Sequence, residues 1–331
     1  MSVYDRGALL RTAPLDGVTT DPSRIVSLAV RTLSVGTHTL TAVYTGDATY
    51  EAATSSPFYL TVTGGTFPAG DGADRVAFDG TSMWVLASHN HVSTVNRIRV
   101  ADGAMLGSFA VGSAPVGIAF DGTHVWVSNY NGGTLSELRA SDGASLPKVR
   151  VGDNPSGLAF DGGNLWVTNA GDDTVTKLRI SDHARLGTYP VGRFPTSVVF
   201  DGANVWVANG GDNTLSELRS TDGMLLATIP LGAGTEELLY DGSNVWATGF
   251  AGVTKIRASD GTKLGTFPAG GLWMGFDGSH LWVSTGVGEG RELRASDGAN
   301  LGTFPGLGGP MVFDGSQMWS LIKKNGTISR F

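Results

Sequence analysis

Phe160-Asp161-Gly162-Gly163-Asn164-Leu165-Trp166-Val167-Thr168-Asn169 decides the fold, because this stretch recurs along the chain. An aromatic-Asp-Gly triplet with Trp four residues later begins at Phe78, Phe120, Phe160, Phe200, Tyr240, Phe276 and Phe313. The matching tryptophans are Trp84, Trp126, Trp166, Trp206, Trp246, Trp282 and Trp319. Successive starts lie 42, 40, 40, 40, 36 and 37 residues apart, so seven units follow one another. Self-similarity at a period near 40 is the mark of a repeat architecture.

Each unit reads as four short strands. In the third, Gly157 to Phe160 alternates toward one face, Asp161-Gly162-Gly163-Asn164 supplies a turn, and Leu165 to Thr168 is a second strand. Thr174 to Arg179 makes a third strand, Ser181-Asp182-His183 the next turn, and Leu186 to Val191 the fourth. Four antiparallel strands at this period describe a β-propeller blade, which predicts an all-β chain with a seven-bladed propeller over residues 64–331. The last unit ends on a third strand, Gly326 to Phe331. A stray fourth strand, Gly65-Thr66-Phe67-Pro68-Ala69-Gly70, repeats the text of Gly265 to Gly270. Residues 65–69 are therefore expected to pair with 327–331, closing the ring and hiding its sheet edges.

Leu165-Trp166-Val167-Thr168-Asn169-Ala170-Gly171-Asp172-Asp173-Thr174-Val175 resembles the YVTN and NHL type of bacterial propeller repeat, and more distantly the streptogramin lyase propeller. Trp126-Val127-Ser128-Asn129 and Trp206-Val207-Ala208-Asn209 carry the same signature, while Ala87, Gly249, Thr285 and Ile322 replace the Asn elsewhere. The lyase resemblance implies His beside Pro at the start of innermost strands and Glu three residues after the repeat Trp. Here those places read Pro115-Val116-Gly117, Pro155-Ser156-Gly157 and Pro195-Thr196-Ser197, with Asn129, Asn169 and Asn209 after Trp, so the catalytic residues do not carry over.

Before the propeller, Leu33 to Tyr50 and the alternating stretch Phe58 to Thr63 resemble the carboxy-terminal half of a bacterial immunoglobulin-like repeat, of the kind found in tandem on secreted and surface proteins. Val3 to Leu10 resembles an earlier strand pair of the same module. Residues 1–63 are thus read as a partial Ig-like domain. Its first strands are absent, which predicts an unpaired sheet edge and further chain upstream of Met1. The resemblance implies a secreted or cell-surface protein, although Met1-Ser2-Val3-Tyr4-Asp5-Arg6 is no signal peptide.

Composition narrows the function classes. Charged residues are 16% of the chain against about 25% in an average protein, and 49 glycines mark a turn-rich chain. A net charge of -7 with no basic run longer than Lys323-Lys324 argues against nucleic-acid binding. No segment approaches the ~18 apolar residues of a membrane span. With 0 cysteines, disulfides, thiolate metal sites and cysteine nucleophiles are excluded.

In a propeller, the turns joining strands one to two and three to four share one face. Those turns are uniform here, and their Asp-Gly pairs suit hairpin geometry. The loops from strand two to three, and from four to the next blade, lie on the other face and vary, which marks it as the binding face. It offers His89, His91, Tyr130 and Phe250 between strands two and three, and Asp74-Arg75, Arg193-Phe194, Glu236-Glu237 and Trp273 near the channel. Trp273 is the one tryptophan outside the repeat position, so an aromatic stacking surface is expected there, or a filler for a shortened loop.

His89 and His91 could share a metal, but no third ligand is evident, so no metal site is expected. His124 and His280 occupy a turn slot held elsewhere by Asn, and His183 replaces a turn glycine, which predicts structural roles. No hydrolase elbow, zincin motif or cofactor loop is present, and Glu236 and Glu237 would face opposite ways in an extended strand. The expectation is a monomeric, cofactor-free, non-enzymatic module presenting one propeller face to a protein or glycan. The alternative is a propeller lyase or hydrolase around Glu236, Glu237, Arg75 and His89, recognisable by three or more titratable groups converging at one channel mouth.

Overall fold

In a computed structural model, the residues described are 2–5, 8–12, 36–46, 51–62, 65–89, 92–232, 234–285, 288–305 and 307–331. Among them the regular structure is strand throughout, apart from two single-turn 3-10 helices, Tyr130–Gly132 and Lys323–Asn325. The chain divides into two compact units, residues 66–329 and residues 1–65 with 330–331. The smaller unit is one antiparallel sheet. Its central strand Gly36–Tyr44 pairs with Ser2–Asp5 on one side, and with Ala53–Thr54 and Phe58–Val62 on the other. Ala8–Thr12 pairs with Ser2–Asp5 alone among the described residues and forms an edge.

The larger unit is a seven-bladed propeller of seven four-stranded antiparallel sheets. The innermost strands are Ala73–Phe78, Pro115–Phe120, Pro155–Phe160, Pro195–Phe200, Leu238–Tyr240, Trp273–Phe276 and Met311–Phe313, and they number blades 1 to 7 in that order. Each packs beside the next, and the seventh returns to the first. Blade 7 takes its outermost strand, Thr66–Pro68, from the start of the unit, with Thr327, Ile328 and Ser329 opposite Pro68, Phe67 and Thr66.

One local device is built seven times. In every aromatic-Asp-Gly turn the Asp Oδ2 accepts the indole Nε1–H of the following Trp at 2.7–2.9 Å. Its Oδ1 accepts backbone N–H groups of the turn, as Asp161 does from Gly163 and Asn164. The turn glycines, Gly162 among them, all lie at φ between 94° and 102°, a backbone that side chains rarely adopt. Partial burial works against ionisation of these aspartates. The indole and backbone donors outweigh it, holding Asp79, Asp121, Asp161, Asp277 and Asp314 below the ordinary carboxylate value.

The tryptophans also join the blades. Trp166 of blade 3 lies against Val205, Val207 and Leu218 of blade 4, and Trp319 of blade 7 against Met83, Val85 and Ile98 of blade 1. Six of the seven repeat tryptophans have no exposed surface. The triplet's Phe or Tyr is only half-buried in every blade, because it sits at the end of the innermost strand. Core burial therefore comes chiefly from Trp and its Val and Leu neighbours.

Candidate functional site

A cavity of about 930 Å³ opens where the innermost strands begin. Its far wall, from blades 2 to 4, carries no charged side chain and mixes Val116, Ile118, Leu158 and Phe194 with hydroxyls, and hydroxyls at the starts of these strands fasten blade to blade. Ser128 Oγ donates to Ser156 O at 2.6 Å, Ser156 Oγ to Pro195 O at 2.9 Å, and Thr196 Oγ1 to Glu236 O at 2.8 Å. Ser197 Oγ accepts the Leu238 N–H at 3.1 Å. Glu237 does the same for the next pair of blades, its Oε2 accepting the Met274 N–H at 3.0 Å.

The opposite wall carries the charge. Asp74 Oδ1 pairs with Lys323 Nζ, and Asp74 Oδ2 lies 3.4 Å from Arg75 NH1, which also donates to the Asp74 carbonyl at 3.0 Å. Lys323 Nζ stands 4.2 Å from the centroid of the Trp273 ring, a cation–π contact. Burial pushes the Glu237 carboxyl from 4.5 up to about 7, against the pull of Arg75, the Met274 N–H and Lys323, with Glu236 adding to the rise. At neutral pH this side chain is poised between its acid and its base form. Asp74, by holding both Arg75 and Lys323, brings three titratable groups to one mouth, the arrangement expected of the catalytic alternative.

Of the residues singled out from sequence, Asp74, Arg75, Tyr130, Phe194, Glu236, Glu237, Phe250 and Trp273 border this cavity. Glu236 and Glu237, expected to face opposite ways in an extended strand, precede the strand Leu238–Tyr240, and both border the cavity. Arg193 is not among the lining residues; its backbone N–H donates to Asp212 Oδ2 at 2.6 Å. His89 ends the second strand of blade 1, exposed and away from the cavity, and His91 lies outside the described residues. Lys323 was missed. Its signal was available, for it stands four residues after Trp319, the slot filled by Tyr130 after Trp126 and by Phe250 after Trp246.

His183, on the other face, is explained by packing. Tyr189 of blade 3 covers Trp166 with ring centroids 5.8 Å apart, Phe109 and Phe267 cover Trp84 and Trp246 in the same way, and Phe304 meets Trp282 edge-on at 5.1 Å. The outermost strand of blade 2 is only Val149–Arg150 and brings no ring. His183 of the next blade replaces it, edge-on to Trp126 at 5.5 Å, with Nε2 3.1 Å from Glu137 Oε2. Among the described residues no group of three or more His, Cys, Asp or Glu is placed to hold a metal ion.

Residues 1–63 match the bacterial Ig-like domain, group 3. Among solved structures, the hydrazine synthase of Kuenenia stuttgartiensis superposes with a TM-score of 0.63 at 15% identity, covering 78% of this chain and 95% of that one. At that identity the likeness speaks for the fold alone. No curated protein matches the sequence. No helix among the described residues is long and apolar enough to cross a membrane.

Proposed function

We propose that this protein is an extracellular or cell-surface recognition module, and that the ligand at its channel mouth is a glycan. One observation carries the reading: a concave cavity of about 930 Å³ with a tryptophan face, carboxylates and two cations gathered on one wall. That volume lies within the ~300–1,000 Å³ of small-ligand sites, whereas a protein partner needs a broad surface of about 800 Å² per side. Carboxylate and guanidinium groups match the paired hydroxyls of a sugar, and an aromatic face matches its apolar side. The Ig-like module and the YVTN and NHL resemblance of the blades support an outside location.

A panel of immobilised hexasaccharides (cellohexaose, xylohexaose, maltohexaose and chitohexaose) tests the reading. Retention of the whole protein on at least one, lost in Trp273→Ala, is the expected result. Absence of retention on all four defeats it.

Glu237 supports a second reading, a lyase or hydrolase acting at the channel. A carboxyl with a pKa of about 7 beside Arg75 is suited to general acid or base work at neutral pH. The binding reading stands first because Arg75 and Lys323 are both paired with Asp74, and Glu237 already fastens blade 5 to blade 6. Release of new reducing ends or unsaturated products from the panel, abolished in Glu237→Gln, would promote the catalytic reading. A day's incubation without product removes it.

A further inference from the structure

The loop residue six positions before the triplet aromatic has positive φ in five consecutive blades: Gly72, Ala114, Asn154, Phe194 and Gly234, at 71°, 51°, 51°, 50° and 82°. The conformation is imposed by the ladder. The carbonyls of Gly72, Ala114, Asn154 and Phe194 accept N–H groups of Ser88, Tyr130, Ala170 and Gly210, at 2.9–3.2 Å, at or just beyond the end of the second strand of the same blade. Glycine and asparagine accept such a backbone readily, and a bulky aromatic does not. A following proline, Pro195, restricts position 194 further.

Phe194 is nonetheless locked there from both sides. Its N–H donates to Asp173 Oδ1 at 2.8 Å, while its carbonyl takes the Gly210 N–H at 3.0 Å. Nothing is gained in the core, since Phe194 is 48% exposed on the rim of the channel cavity. Asn154, in the same slot one blade earlier, shows what a suited residue does: its amide donates to Tyr130 O at 3.3 Å. One blade later the slot is Gly234, and a phenyl ring is supplied instead by Phe250, which covers it and is 77% exposed. Two neighbouring blades thus deliver a phenyl ring to the same sector of the rim by unrelated routes, one of them against the backbone's preference.

We infer that Phe194 is a ligand-contacting residue, kept in a strained backbone to present an apolar face across the cavity from the charged wall, and that it stacks on a pyranose ring of the bound glycan. Strain at an exposed position persists where the exposed group is used. The inference rests on the glycan reading above and adds the residue that would favour sugars with an unobstructed apolar face.

Phe194→Asn in the whole protein, measured beside wild type and Phe250→Asn, separates strain from contact. Phe194→Asn is expected to melt higher by about 2–4 °C, the shift that relief of roughly 1 kcal/mol gives a unit of this size, and to lose at least fivefold in affinity for the retained hexasaccharide. Phe250→Asn, with no strain to relieve, is expected to lose affinity without the rise. A Phe194→Asn protein that melts lower overturns the strain, and unaltered affinity overturns the contact. If wild type retains none of the four hexasaccharides, the glycan reading and the contact role fall together; a Phe194→Asn variant that alone binds as well as wild type defeats the contact role only.

Discussion

The two faces of the propeller are made by opposite rules. On the turn face one device is repeated seven times, an aspartate gripping the indole of the next tryptophan and the backbone of its own turn. At the channel mouth each residue of note occurs in one blade: Arg75 in the first, Phe194 in the fourth, Glu237 in the fifth, Trp273 in the sixth and Lys323 in the seventh. A feature present in every blade answers a need that every blade has, which is to fold and to pack. A feature present once is not required by every blade, even where, like Glu237, it also joins two blades, and the mouth is where the single features gather.

Breaking the repeated device should therefore cost stability and spare binding, in proportion to how well the groups left behind can recover. Trp166→Ala empties a fully buried site between blades 3 and 4, and a loss of about 3–5 kcal/mol in denaturant unfolding is expected. Asp161→Ala leaves the Trp166 Nε1–H and two turn N–H groups without their acceptor, for a loss of about 1–3 kcal/mol. If either change costs less than roughly 0.5 kcal/mol, the device is ornamental and the contrast between the faces fails. The same aspartates predict how acid unfolds the propeller. Their carboxyls are depressed in the folded state, so the stability they contribute is present above the ordinary value of about 3.9 and is lost as pH falls through the lower folded values.

Changes at the mouth should do the reverse. Trp273→Ala removes a half-buried ring, and the expected outcome is about a tenfold loss of affinity, roughly 1.4 kcal/mol, with the melting temperature held within a few degrees. Glu237→Gln sharpens the comparison through pH. The Glu237 carboxyl is raised to about 7 in the fold, so its favourable contribution is complete below 4.5 and is lost as pH rises through 7. The amide oxygen of Gln can still accept the Met274 N–H, so the variant should match wild type near pH 4 and melt a few degrees higher at pH 8. Equal melting temperatures at pH 8 would show that the carboxyl is not desolvated.

The fold was legible because repetition multiplies a weak signal. A lone Asp-Gly turn or a lone Trp means little, but seven at near-constant spacing admit few architectures. What reading by repeats could not supply was the partner of each repeated group. Asp161 was read as a turn former, and its grip on Trp166 spans five residues and a change of strand, invisible until the hairpin is built. The mouth was half legible for the same reason. Trp273, Arg75 and Glu237 stood out as departures from the repeat, whereas Lys323 hid inside a short basic run and meets Asp74 only because blade 7 closes onto blade 1. Arg193 and His89 looked alike in sequence to residues that line the cavity, yet neither borders it: the Arg193 backbone N–H is taken up by Asp212, and His89 ends the second strand of blade 1.

Hydrogen–deuterium exchange of the whole protein, with and without the hexasaccharide it retains, tests the contrast between the faces most directly. Slower exchange at residues 234–238, 272–274 and around 323, with the turns at 161–164 and 201–204 unchanged, is the predicted outcome. Slowing confined to those turns, with none at the mouth, would contradict it.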